Sequence, residues 1–207
     1  MLLTAFEPFD DSGLNSSQQT LRAIKRQGVP GLELVARILP VDQHTGPAIL
    51  IAAVDRVRPS AVVCLGQSSR RAAISIERIA INLLDFRKAD NAGRKFTDRP
   101  IVRDGPAAYF ATLPVRAMWR AVRAAKVPVE LSQDAGSYLC NQVTYCLLHY
   151  LATKNLEVPD GFIHLPSLPQ QAVGAGNGNP SMAVETLTAG VRAALRAISK
   201  SLSKKRR

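Results

Sequence analysis

Ser60-Ala-Val-Val-Cys-Leu-Gly66 is an apolar run without alternation, and a strand that carries apolar side chains on both faces must be covered on both. This pattern belongs to a central strand with helices above and below it, which narrows the chain to α/β architectures. The residues before the run agree. Met1 to Phe6 reads as a short apolar strand, closed by the turn-rich Glu7 to Gly13. A helix is expected from Asn15/Ser16 to Gly28, with Pro30 beyond it as a stop. Leu32 to Leu39 alternates as a strand, and Gly46 to Arg58 has helical apolar spacing closed by Pro59. After the run, Ile74 to Leu84 alternates as a strand, while Asp85 to Gly105 is rich in charge, Gly and Pro and reads as loop or hairpin. Helices over 114–125, 137–153 and 181–199 then alternate with strands over 127–131 and 161–165. The order predicts a three-layer α/β/α sandwich around a largely parallel, mixed central sheet.

Length and charge bound the rest. The 207 residues suit one domain, expected over 1–199, with 200–207 as a basic, disordered tail. Hydrophobic residues at 46% and charged residues at 21% fit a globular chain rather than a disordered or fibrous one. No apolar run reaches the roughly 18 residues of a membrane helix, and the N-terminus lacks the basic start and apolar stretch of a signal peptide, so a cytoplasmic protein is expected. Cys64, Cys140 and Cys146 are an odd number without C-x-x-C spacing, which points to neither a disulfide framework nor a metal site. The net charge of +11 suggests nucleic acid until it is located: seven of those charges are the seven cations after Glu185, an ordinary solvated end.

Chemistry concentrates in Asp134-Ala-Gly-Ser-Tyr-Leu-Cys140, a glycine turn running into an apolar helix. Ser137 is the expected N-cap. Cys140 would then lie about three residues into the helix, where free N–H groups and the helix dipole favour a thiolate. A buried structural cysteine is the plain alternative. His164, at the end of the strand-like Gly161-Phe-Ile-His164-Leu-Pro166, is the natural base for a cysteine nucleophile, and Glu77 is a reasonable acid to orient its ring. His44 is expected to be exposed, and His149 sits nine residues along the cysteine helix, out of reach of Cys140.

Five motifs then occur in order: Thr4-Ala-Phe-Glu-Pro-Phe9 with Asn15 and Ser17; Leu65-Gly-Gln67; Ile76-Glu77-Arg78-x-Ala80-x-Asn82-x-x-Asp85 followed by Asp90-Asn-x-Gly93; Ala135-Gly-x-Tyr-Leu-Cys140-Asn141; and Phe162-Ile-His164-x-Pro166. Together they resemble the pyroglutamyl peptidase I, or pyrrolidone-carboxylate peptidase, family of cysteine peptidases. The resemblance implies a Glu77, Cys140, His164 triad, an α/β/α fold, no cofactor or metal, and a cytosolic homotetramer. It also implies that Phe9 touches the pyroglutamyl ring, that the Gln67 main chain meets the lactam, that Asn15 supports the pocket, and that Arg87 assists the oxyanion. Arg87 as a surface charge remains open.

A pyroglutamyl group is a flat, uncharged lactam, so its pocket should be apolar on the faces and polar at the amide edge. Phe6 could complete a sandwich with Phe9 or could simply be core. The chain departs from the family pattern at Asp10-Asp11, at Ser16, and at Ser68-Ser69-Arg70-Arg71, where the family tends to have Ala-Gly-Gly-Arg. The expected function is removal of N-terminal pyroglutamate from peptides through a thioester acyl-enzyme. The alternative is a binding protein of the same fold that uses its basic tail for polyanions. With 5% aromatic residues and no RNA-binding motif, nucleic acid is not the expected partner.

Overall fold

The computed structural model describes residues 1–9, 13–174 and 178–205. Its elements are β1 (Leu2–Phe6), α1 (Ser16–Gln27), β2 (Val35–Leu39), α2 (Thr45–Val57), β3 (Val62–Gln67), β4 (Ile74–Glu77), β5 (Ile79–Ile81), β6 (Ala108–Phe110), α3 (Val115–Ala124), β7 (Val129–Ser132), α4 (Leu139–Thr153), β8 (Asp160–Leu165), α5 (Pro169–Gly174) and α6 (Val184–Lys205). Six strands form one sheet in the order β2-β1-β3-β8-β4-β7, and β5 pairs with β6 in a separate ribbon. Within the sheet β1, β2, β3 and β8 are mutually parallel, whereas β4 runs antiparallel to β8 and carries β7 parallel to itself.

The non-alternating run has the environment its composition demands. Val63 and Leu65 pack with α1, α3 and α6 on one face, while Val62 and Cys64 pack with α2 and α4 on the other. Helices on both faces of a mostly parallel sheet make the expected α/β/α sandwich.

Local signals set α1 within a residue of expectation. The Asn15 side chain accepts the Ser17 N–H at 2.9 Å as N-cap, and Gly28, at φ +67°, closes the helix through a bond to the Ile24 carbonyl.

Three expectations require correction. The single strand predicted over 74–84 breaks at Arg78: β4 joins the main sheet, and β5 turns away to pair with β6, which lies just past the predicted loop. Ser137 does not cap the cysteine helix. The helix starts from Tyr138 without a side-chain cap, and the Ser137 hydroxyl donates instead to the Asp85 carbonyl at 2.8 Å. The last helix does not end at 199 but continues through Lys205, because Leu202 extends its apolar stripe onto the core. The Asp10-Asp11 departure lies outside the described residues.

Candidate active site

The reversal of β4 brings two of the candidate residues together. Ser75 pairs directly opposite His164, so Glu77, two residues farther along the same face, is diagonal to the imidazole and within reach of a long side chain. His164 Nδ1 and Glu77 Oε1 meet at 2.8 Å, with the histidine 5% and the glutamate 1% exposed. The bond on Nδ1 leaves Nε2 for a second partner.

That partner is Cys140, the second residue of α4, where the backbone N–H has no acceptor within the helix. The Cys140 sulfur lies beside the His164 ring, close enough to raise its pKa. It can lie this low over the sheet because residue 66 is glycine: a Cβ there would stand 2.8 Å from Cys140 Sγ and 2.5 Å from the Phe162 ring. Burial disfavours a charge on His164, but the Cys140 sulfur and the Glu77 carboxylate outweigh it and raise the pKa to about 9. The imidazole is thus protonated at neutral pH, between the Glu77 carboxyl group and the Cys140 sulfur. The other thiols differ: burial pushes Cys64 well above the usual thiol value and Cys146 up to about 12.

Cys140 and His164 open into a cavity of about 910 Å³ that Phe6, Phe9, Asn15, Gln67 and Arg87 also line. Phe6 is both wall and core, 4% exposed and packed in the same cluster as Leu39 and Phe162. Phe9 stands against Tyr138 with ring centroids 5.4 Å apart. Asn15 is a buried brace: its Nδ2 donates to the Glu7 carbonyl at 2.9 Å, and its Oδ1 accepts from Ser17. The Gln67 side chain is engaged in structure, accepting the Ser16 N–H at 2.7 Å, so what it offers the cavity is main chain. Arg87 is exposed at the rim. His44 is exposed at the start of α2, and His149 accepts or donates a 2.9 Å bond with Tyr109; neither lines the cavity.

Arg71 is the residue that sequence reasoning missed. Its guanidinium reaches Glu130 at 2.7 Å, the Asp134 carbonyl at 2.6 Å, Ser132 Oγ at 3.1 Å and Glu77 Oε1 at 3.4 Å. It therefore ties the loop after β3 to β4, β7 and the turn before α4. The ion partner of Glu77 is Arg71, not its neighbour Arg78. The Arg70-Arg71 doublet was the signal available, but partners about 60 positions away cannot be read from spacing. Asn141 was quoted only as part of a motif, and its amide clamps the strand after Glu77, bonding Ile81 N–H at 2.9 Å and Ile81 carbonyl at 2.8 Å. Among the described residues no cluster of His, Cys, Asp and Glu could hold a metal ion, and no helix is long and apolar enough to cross a membrane.

A protonated imidazole between a carboxylate and a cysteine at a helix start can perform nucleophilic acyl transfer. Comparison with known proteins points the same way. The model of the pyroglutamyl peptidase family matches residues 1–201. A pyrrolidone-carboxylate peptidase of Cupriavidus taiwanensis is 47% identical over 196 residues, covering 94% of this chain and 90% of the relative. Among solved structures, the pyrrolidone carboxyl peptidase of Thermococcus litoralis superposes with a TM-score of 0.92 at 34% identity, covering 99% of this chain and 94% of the other. Pyroglutamyl peptidase I of Bacillus amyloliquefaciens gives 0.90 at 29% identity, covering 96% of both chains.

Proposed function

The chain belongs to the pyroglutamyl peptidase family, and from that premise we propose that Cys140 is its nucleophile, His164 its acid–base and Glu77 the acid that orients the ring. The protein is a cysteine-type omega-peptidase that hydrolyses the amide bond after an N-terminal pyroglutamyl residue. The observation that carries the residue assignment is the 2.8 Å bond between His164 Nδ1 and Glu77 Oε1, with the Cys140 sulfur beside the same ring.

The lactam ring enters along Phe6 and Phe9, with the Gln67 main chain at its amide edge and Asn15 holding that wall in place. The Cys140 thiolate attacks the pyroglutamyl carbonyl carbon, forming the C–S bond while negative charge moves to the oxygen. The Cys140 N–H and the Arg87 guanidinium receive that charge. The tetrahedral species collapses as the C–N bond breaks, and the imidazolium gives its Nε2 proton to the leaving amine. The neutral ring then takes a proton from water as it attacks the thioester, which releases pyroglutamate and restores the thiolate–imidazolium pair. Glu77 keeps Nδ1 protonated throughout, so that Nε2 faces the sulfur.

The family resemblance further supports a homotetramer, and Phe110, 71% exposed on β6, is apolar surface that a second copy could cover. Three free cysteines suit a reducing, cytoplasmic setting. No observation favours the tail-binding alternative: residues 200–205 continue α6, and the relatives are peptidases. The test is hydrolysis of a pyroglutamyl fluorogenic amide, expected for the wild-type protein and abolished in Cys140→Ala. A folded wild-type protein that leaves the amide intact would sink the assignment.

A further inference from the structure

We propose that the side of the cleft formed by the loop after β3 is a leaving-group subsite, in which Arg70 receives a carboxylate on the residue that follows pyroglutamate. The inference deepens the peptidase reading and rests on it. The cavity, about 910 Å³, is near the upper end for sites that enclose a drug-sized ligand, far more room than one lactam ring fills. The ring occupies the apolar wall of Phe6 and Phe9, which leaves the polar remainder to the peptide beyond the scissile bond.

That remainder is cationic. Arg70, Arg71, Arg87 and Lys88 line the cavity, and the acidic side chain among its described lining residues is Asp134. The Asp134 carboxylate accepts the Gly136 N–H of its own turn at 2.8 Å. Arg71 is taken up by Glu130 and Glu77, Arg87 is assigned to the oxyanion, and Lys88 has an interaction of its own. Arg70 is exposed and forms no ion pair among the described residues. A guanidinium suits a carboxylate because its planar N–H fork matches the two oxygens. The carboxylate can be an acidic side chain or the free α-carboxylate of a dipeptide, since both lie within one residue of the broken bond.

The experiment compares kcat/KM for pyroglutamyl-glutamine amide, pyroglutamyl-glutamate amide, pyroglutamyl-glutamine with a free carboxylate, and pyroglutamyl-lysine amide, in wild-type and Arg70→Gln protein. One or both anionic peptides should exceed the neutral amide by about two- to fivefold, the range of an exposed ion pair, and the advantage should shrink with added salt. Which anionic peptide gains identifies the source of the carboxylate. Arg70→Gln should bring the ratio to about one while turnover of the neutral amide stays unchanged. Equal rates for neutral and anionic peptides would overturn the subsite, and so would a preference that survives Arg70→Gln, which would belong to the overall +11 charge instead. Failure to cleave the neutral amide at all would overturn the peptidase reading itself, and is distinguishable on that ground.

Discussion

Glu77 lies beneath His164 with its Oε1 shared between the imidazole at 2.8 Å and Arg71 at 3.4 Å, an arrangement that fixes both ring tautomer and charge. Glu77→Gln keeps the shape but removes the anion that steadies the imidazolium. Its kcat/KM should fall by about 10²- to 10⁴-fold with little change in fold. His164→Ala should lose at least as much, and the double variant far less than the product of the two, because the residues act as one unit. Near-wild-type turnover in a folded Glu77→Gln protein would remove Glu77 from its role. The three thiols give a second check. Cys140 lines the cavity, whereas burial disfavours the reactive thiolate of Cys64 and of Cys146. Iodoacetamide should therefore abolish activity in step with alkylation of Cys140, and peptide mapping that finds the loss following Cys64 or Cys146 would contradict this.

At the scale of elements, the site depends on a reversed strand and on a close approach. β4 runs antiparallel to β8 with Ser75 opposite His164, and in this register Glu77 lies diagonal to the imidazole. The approach of α4 to β3 and β8 is set by Gly66, where a methyl group meets both Cys140 Sγ and Phe162. Gly66→Ala should overpack this contact by about 1–3 kcal/mol. The melting temperature of a chain this size should drop about 2–4 °C per kcal/mol. A thiol displaced by about 1 Å should also cost on the order of 10²-fold in kcat/KM. A Gly66→Ala protein with unchanged melting and unchanged turnover would show that α4 does not rest on this contact.

Across the whole molecule, two buried groups make stability depend on pH in the same direction. Asp160, fully buried at the start of β8, keeps its proton because burial raises its pKa from 3.8 to about 8. The unfolded chain releases that proton from pH 3.8 upward, so the stability it confers is complete below 3.8 and lost as pH rises through about 8. For His164, whose pKa is raised from 6.5 to about 9, the contribution is complete below 6.5 and lost as pH rises through about 9. The melting temperature should therefore decline from mildly acidic pH toward pH 9. Asp160→Asn should flatten the part of the decline below pH 8, and Cys140→Ala, which removes the sulfur that raises the His164 pKa, the part between 6.5 and 9. Melts of both variants across pH 5 to 9 that decline as steeply as wild type would refute the assignment.

What the amino-acid sequence by itself determined are the features whose causes lie within a few residues or repeat along the chain. The non-alternating run at 60–66 required cover on both faces and has it, and the caps of α1 were legible because Asn15 and Gly28 act on the turns beside them. Glu77, Cys140 and His164 could be chosen by residue type, context and resemblance, but not as neighbours. Only the tertiary structure decided the break at Arg78, where β5 leaves the sheet for a partner about 30 residues away. It also decided the use of Ser137 to hold Asp85 rather than to cap α4, the continuation of α6 past residue 199, and the place of Arg71 among groups about 60 residues distant. Each of these depends on which distant segments the fold brings into contact. Pairing energy is exchanged between segments far apart in sequence, so no local pattern of residues encodes it.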